Sequence, residues 1–91
     1  MIDKTYVFHE DPGHGWLAVP IKELFILGIA NKISNFTYVN GNTAYLEEDC
    51  DAGEFVKAFK EKFGVAPKYR VAYKEYTPIR GYDRYEYKEV A

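Results

Sequence analysis

The hydrophobic positions of this chain change their spacing from segment to segment, and each change marks a predicted element. Residues 4–9 have the aromatic and β-branched composition of a strand, which ends at an Asp-Pro-Gly turn signal at residues 11–13. Residues 20–28 predict a short helix, since Pro20 suits a first helical turn and Gly28 can end it. A strand and a short helix are therefore expected to open the chain.

The clearest local signal is the Asn-Gly dipeptide at residues 40–41, which lies between two strand-like segments. This dipeptide favours a type I′ turn, which would pair Phe36 with Tyr45 and Tyr38 with Thr43. The aromatic residues then share one face of the hairpin, which we expect to be partly open to solvent. The opposite face, expected to lie beneath helices, carries the smaller side chains of Thr37, Val39, Ala44 and Leu46.

A second helix is predicted between Asp51 and Gly64, where apolar side chains recur at helical spacing. Asp51 is predicted to cap it, with Glu54 closing a capping box, and Gly64 is predicted to end it. Residues 68–76 then alternate as a strand. Tyr69, Val71 and Tyr73 lie on one face of that strand.

The predicted order is β-α-β-β-α-β, which is typical of a ferredoxin-like α+β fold with two helices on one face of an antiparallel sheet. A hairpin-centred fold with another strand order, or a swapped dimer, would fit the same pattern. The length of 91 residues indicates one domain over residues 1–91. Residues 77–91 show no period and are predicted to form a loosely packed tail.

Composition narrows the setting of this domain. No apolar run approaches the roughly 20 residues of a membrane span, no secretory signal opens the chain, and Cys50 is the only cysteine. These features predict a cytoplasmic protein without disulfides. Residues 1–55 carry nine acidic and three basic side chains, and residues 56–91 carry five acidic and nine basic ones. The net charge of −2 argues against nucleic acid as a direct ligand, whereas the asymmetry could orient a partner protein or a homodimer.

The loop between residues 9 and 16 is the densest candidate for ligand chemistry. His9 and His14 could ligate a metal, but a third ligand is not visible nearby, so we expect neither a metal nor another cofactor. Gly15 and its neighbours could instead turn backbone N–H groups toward an anion, with Arg80 adding a bidentate counter-charge. The alternative is an ordinary turn in which Trp16 fills the core.

Three acidic residues, Glu47, Glu48 and Asp49, precede the second helix and are not explained by its dipole. They predict an acidic docking patch for a partner. Cys50 lies between two of the acids of this region, which disfavours its thiolate, and a buried or semi-buried structural role is expected for it. No catalytic arrangement accompanies these residues.

The tail interleaves four tyrosines with two arginines, which are residue types enriched at protein–protein hot spots and also suited to nucleotide stacking. Its candidate partner-binding residues are Arg80, Tyr82, Arg84 and Tyr85. Packing of one or two of these rings back on the domain is the simpler interpretation.

Several stretches resemble a family of small, uncharacterised proteins encoded by bacteriophages and related mobile elements. The similar stretches include His14-Gly15-Trp16-Leu17, the run from Tyr45 to Ala52, and Thr77-Pro78-Ile79-Arg80 followed by Tyr82. The resemblance carries no functional residues. It implies a setting in which small accessory proteins inhibit host nucleases, CRISPR machinery or other defences as non-enzymatic binders.

Two hypotheses follow from the sequence. The first is a non-catalytic interaction module, of the anti-defence or nuclease-inhibitor type, that binds a partner protein through the acidic patch and the Tyr/Arg tail. The second is a binder of a small molecule or nucleotide phosphate, or a minor enzyme, that uses the 9–16 loop with Arg80.

Overall fold

The computed structural model describes residues 1–88, so residues 89–91 at the end of the predicted tail lie outside the described part. One compact α+β domain is seen, which confirms the predicted class. Its strands and helices are β1 (Thr5–Glu10), β2 (Gly15–Pro20), α1 (Ile21–Ile26), β3 (Tyr38–Asn40), β4 (Thr43–Glu47), α2 (Asp51–Phe63), β5 (Lys68–Tyr73) and β6 (Asp83–Arg84). Short 3-10 turns lie at Ala30–Lys32 and Pro78–Gly81.

The strands form one sheet in the order β5-β1-β2-β4-β3-β6. β1 and β5 are parallel, and every other pair of neighbours is antiparallel. All of the predicted strands and helices are present, so the predicted order is confirmed in part. The sheet is mixed rather than antiparallel, because α2 crosses over the sheet to bring β5 alongside β1, and β2 and β6 are additional strands.

β2 was hidden from the sequence pattern because it is central and is buried on both faces. Trp16 and Leu17 point to opposite sides of the sheet and are only 3% and 4% exposed, respectively. A strand buried on both sides loses the alternation of apolar and polar positions by which strands are recognised. β6 has two residues, which is too short to leave any pattern.

Both helices cover the same face of the sheet, where the main core lies. Tyr6 packs edge-on against Phe55 of α2, with 5.2 Å between ring centroids, and Leu24 of α1 belongs to the same buried cluster.

The predicted facing of the hairpin is confirmed. Thr37, Ala44 and Leu46 are buried, Val39 packs against the core, Tyr38 and Tyr45 are half-buried on the opposite face, and Phe36 is exposed.

The predicted register of this hairpin is wrong, although its facing is right. Tyr38 lies opposite Tyr45 and Asn40 opposite Thr43, so the turn is formed by Gly41 and the residue that follows it. Gly41 has a φ of 59°, and no described non-glycine residue has positive φ, so the type I′ conformation is excluded. A positive φ at the first central residue alone is the requirement of a type II′ turn. Moving the turn by one residue changes the cross-strand partner of each residue by two positions, so each side chain stays on its predicted face.

α2 ends where the sequence predicts, at Gly64 with a φ of 75°, but it begins one residue earlier than predicted, at Asp51. The predicted cap is wrong. The residue preceding the helix is Cys50, which makes no side-chain capping bond, and Asp51 is fully buried inside the first turn. Its carboxylate instead accepts hydrogen bonds from Ser34 Oγ and Thr37 Oγ1, both at 2.6 Å, and from the Ser34 N–H at 3.1 Å. Asp51 therefore ties the segment before β3 to the start of α2.

The tail is packed more firmly than its lack of period indicates. Ile79 and Tyr85 are buried, and β6 pairs with the edge of β3. The Tyr85 hydroxyl donates to the Ala30 carbonyl at 2.6 Å, and the Tyr85 N–H donates to the Thr37 carbonyl at 2.7 Å.

Between residues 1 and 88, no helix is both long enough and apolar enough to cross a membrane.

Candidate functional site

A cleft of about 590 Å³ opens on the sheet face opposite the helices, at the end where β2 starts and β4 finishes. Four separate segments line it: the loop before β2, residues 34–38, the end of β4, and the tail. The cleft thereby collects predicted site residues from both hypotheses. These are His14, Trp16, Glu47, Asp49, Arg80 and Arg84.

Arg80 and the 11–14 loop meet at one carboxylate, that of Asp11. Arg80 Nε and Nη2 donate to Asp11 Oδ2 and Oδ1 at 2.8 and 3.2 Å, and the N–H groups of Gly13 and His14 donate to Oδ1 at 2.9 and 2.8 Å. The hydrogen bonds from Arg80 and from these backbone groups hold the pKa of Asp11 well below its usual value. The loop N–H groups and Arg80 thus bind a negatively charged group together, and that group is the Asp11 carboxylate of the same chain.

The two arginines of the tail are stacked on aromatic rings. The Arg80 guanidinium lies over Trp16 with its Cζ 5.3 Å from the ring centroid, and that of Arg84 lies 4.6 Å from the centroid of Tyr38. Arg84 also donates to the Asn35 carbonyl at 3.2 Å. The guanidinium groups of Arg80 and Arg84 are therefore held in fixed positions in the cleft.

The cleft also carries two acidic side chains, Glu47 and Asp49. The Asp49 N–H donates to Glu47 Oε1 at 2.8 Å, which fixes the chain after β4 in a turn. Cys50 lines the cleft beside them and is exposed, so the expectation of a buried structural cysteine is wrong. The pKa of the Cys50 thiol is raised, chiefly by the negative charge of Asp51, so the thiolate needed for nucleophilic chemistry is disfavoured.

The remaining predicted site residues lie elsewhere. Glu48 lines a groove on the helix-covered face, His9 packs against Tyr45 with ring centroids 5.7 Å apart, and Tyr82 packs against the same ring at 5.3 Å. Tyr85 is buried in the core, where a partner could not reach it. Gly15 is also buried, in the sheet, and faces the ring of Phe8.

Four residues of the cleft were not among the predicted site residues: Ser34, Phe36, Tyr38 and Cys50. Phe36 is the most exposed apolar residue of the four. Phe36 is 62% exposed at the rim of the cleft, and its N–H donates to Ser34 Oγ. The sequence predicts Tyr45 opposite Phe36, but Tyr45 lies opposite Tyr38, so the register that leaves Phe36 exposed could not be inferred from the pattern. The sequence predicts a turn at Asp11, and an Asp at the start of a turn commonly accepts hydrogen bonds from the backbone two or three residues later.

No group of three or more His, Cys, Asp or Glu side chains that could hold a metal ion occurs among residues 1–88. Comparisons with known proteins found no matching family model, no matching curated protein and no matching solved structure.

Replacing Asp11 with alanine should open an anion site that the native chain closes on itself. The Gly13 and His14 N–H groups and Arg80 would keep their directions but lose their acceptor, so the melting temperature should fall. Sulfate or phosphate should restore part of it. Thermal unfolding in sodium sulfate and in sodium chloride of equal ionic strength measures the effect.

The matched control for this change is Glu61→Ala, which removes an exposed acid from α2. Acid titration gives a second measurement. Because the folded pKa of Asp11 lies below its ordinary value of 3.8, the stability from this pair is present above that pH and is lost as the pH falls further. The alanine variant should lack this component. A native chain that responds to sulfate as strongly as the variant would contradict the prediction.

Proposed function

We propose that this chain is a non-catalytic interaction module that binds a partner protein through the cleft. The observation that supports it is that the acidic pair Glu47 and Asp49 and the arginines of the tail line one cleft, with exposed Phe36 at its rim. Arg and aromatic side chains are the types that contribute most binding energy at protein interfaces.

The arrangement of charge favours recognition. The guanidinium groups of Arg80 and Arg84 are already held by hydrogen bonds and aromatic rings, so binding would immobilise few additional rotors. The cleft presents the carboxylates of Glu47 and Asp49 and the guanidinium of Arg84, whereas the charge of Arg80 is paired with Asp11. A partner with complementary charges would be oriented by this arrangement, and its association rate would rise.

The second hypothesis, a binder of nucleotide phosphate, is less well supported. The backbone N–H groups and the Arg80 fork that would hold a phosphate are already satisfied by the Asp11 carboxylate. A phosphate would have to displace a tethered carboxylate that is hydrogen-bonded four times. Minor enzymatic activity lacks an activated nucleophile, because the pKa of the Cys50 thiol is raised.

The resemblance to small phage proteins suggests the biological setting of the proposal. In that setting the partner is a host defence or nucleic-acid-processing complex, and the cytoplasm of the host is the compartment. Purified defence nucleases and CRISPR effector complexes are therefore the first partners to test, with inhibition at a one-to-one ratio as the readout.

The neutralising pair Glu47→Gln and Asp49→Asn tests the acidic residues of the cleft. Binding to a partner found in this way should weaken about tenfold in low salt and by less in high salt, because surface electrostatics are screened. Stability should be almost unchanged, since the Glu47→Gln change keeps a side-chain oxygen that can accept the N–H of residue 49. Surface plasmon resonance at two salt concentrations, with thermal unfolding of the free proteins, measures both.

Glu48→Gln is the matched control, since it removes the same charge from the neighbouring residue but faces the helix-covered side. Its affinity should stay within about twofold of the native value. Equal losses from the control and from the cleft pair, or an affinity indifferent to all three changes, would reject the cleft as the binding surface.

A further inference from the structure

The outer edge of β5 presents free backbone groups to solvent. β5 is the last strand of the sheet, and no strand lies beyond it in the part of the chain that the structure describes. The Lys74 N–H donates inward to the Glu10 carbonyl at 2.9 Å. Since the amide groups of a strand alternate between its two edges, Tyr69, Val71 and Tyr73 direct their N–H and C=O groups outward.

The side chains of these same residues form an exposed apolar row. Tyr69, Val71 and Tyr73 are 63%, 53% and 55% exposed on the helix-covered face, because α2 lies over the more central strands. A groove of about 390 Å³ continues from this row to Phe8 and the first turns of α2. Three large apolar side chains beside free amide groups are unusual on an edge strand, which proteins commonly protect.

The opposite face of the same edge is basic. Lys68 and Arg70 lie on it, and Lys74 follows β5 with the same parity. None of the three has a carboxylate within 4.0 Å among the described residues, whose ion pairs are Lys4–Glu23 and Arg80–Asp11. The positive charge of this row also acts on the neighbouring strand. The pKa of His9 is lowered mainly by burial and further by the charges of Lys74 and Arg70.

We propose that the outer edge of β5 binds an extended segment of a partner protein as a seventh strand, in which acidic residues alternate with apolar ones. The backbone of the segment would pair with the outward amide groups of β5. Its apolar side chains would extend the row of Tyr69, Val71 and Tyr73, and its acidic side chains would meet Lys68 and Arg70. This surface lies at a different edge of the sheet from the cleft and does not depend on it.

A second copy of the chain is disfavoured as the occupant by the same charges. Two β5 strands paired antiparallel about Val71 would bring the apolar rows together but would place Lys68 of each copy opposite Lys74 of the other. Like charges directly opposite one another destabilise a strand pair. The partner that fits both faces is therefore acidic.

The test uses a blocked, fluorescein-labelled peptide, Gly-Asp-Val-Asp-Phe-Asp-Val-Asp-Gly, titrated with the full chain and followed by fluorescence anisotropy. A shuffled peptide with its four Asp residues consecutive keeps charge and hydrophobicity but loses alternation. We expect saturable binding of the alternating peptide, with the shuffled one at least about tenfold weaker. Absence of saturable binding at millimolar protein, or equal binding of the two peptides, would overturn the proposal.

Variants then separate backbone pairing from charge. Val71→Pro removes one outward N–H without touching the ladder to β1, a position where an edge strand tolerates proline. Binding by this variant should fall at least about tenfold, whereas Val71→Thr, which keeps the N–H, should retain more of it. Circular dichroism checks that the variants are folded. The double variant Lys68→Glu with Arg70→Glu changes only exposed side chains, and its binding of the peptide should fall in the same way.

Lys57→Glu with Lys60→Glu is the matched control, because it makes the same change of charge on the solvent face of α2. This control should leave binding within about twofold. Equal losses in the two charge-reversed pairs would mean attraction to net charge alone and overturn the proposal. A concentration-dependent dimer in analytical ultracentrifugation that Val71→Pro abolishes would instead identify a second copy as the occupant and also overturn it.

Discussion

Replacing Asp51 with alanine should lower the free energy of unfolding by about 3 kcal/mol, well above the effect of losing an ordinary helix cap. Asp51 is fully buried, and its carboxylate is the common acceptor for Ser34 and Thr37. The change leaves both hydroxyl groups and the Ser34 N–H without an acceptor. For a domain of this size the melting temperature should fall by roughly 15 °C, measured by thermal unfolding and checked by urea titration.

Thr37→Val provides the test of mechanism. The Thr37 hydroxyl donates to Asp51 and accepts the Glu47 N–H at 3.1 Å, so it links α2 to the end of β4. Thr37→Val alone should cost about half as much as Asp51→Ala, and the double variant should cost less than the sum of the two. Additive losses, or a loss from Asp51→Ala no larger than that from exposed Asp49→Ala, would show that the shared acceptor contributes little.

The network around Asp51 also bears on the cleft. It fixes the segment before β3, which carries Phe36 at the rim and the Asn35 carbonyl that holds Arg84. The Phe36 N–H itself donates to Ser34 Oγ at 3.2 Å. If Asp51→Ala lost partner binding, the cause would be the displacement of residues 34–36 at the rim of the cleft. The contribution of Glu47 and Asp49 is therefore tested by the substitutions at those two residues.

Elements whose signal is local were predictable from the sequence. The amphipathic spacing of α2 and the glycine that ends it are both local signals, and the sequence predicts the end of the helix correctly and its start to within one residue. The facing of the hairpin depends only on the parity of residues, so it survived an error in the turn. The role of Asp51 was not local: a residue that fits a capping box also fits a buried anchor, and only the position of Ser34 and Thr37 decides between them.

The candidate site was predictable in its parts but not in its assembly. The acidic run and the Tyr/Arg tail are visible as compositional features, yet Asp49 and Arg80, which both line the cleft, are 31 residues apart in sequence. They meet because β6 pairs with β3 at one edge of the sheet and returns the tail to the end of β4. A two-residue strand leaves no pattern from which this pairing could be inferred. The burial of Tyr85 and the separation of Glu48 from its neighbours depend on the same assembly.

Replacing Gly15 with alanine should cost about 2 kcal/mol, although the sequence pattern suggests a loop glycine that turns its N–H toward an anion. A Cβ at this position would overlap the ring of Phe8, and Glu48 Oε2 would lie 3.1 Å away. The Gly15 carbonyl also accepts the Glu48 N–H at 3.2 Å, so the backbone cannot move aside without breaking a bond between neighbouring strands. The glycine is therefore required for close packing between β1 and β2, and urea titration measures the loss.

Phe8→Ala should suppress most of this cost, because it removes the ring that the new methyl group would meet. Gly15→Ala on that background should lower stability by less than about 1 kcal/mol. Gly53→Ala is the matched control: it lies in α2 with nothing within 4 Å of the added Cβ, and it should raise stability by about 0.5 to 1 kcal/mol. If Gly15→Ala were as well tolerated as Gly53→Ala, or equally costly with and without Phe8, close packing against that ring could not be the reason for the glycine.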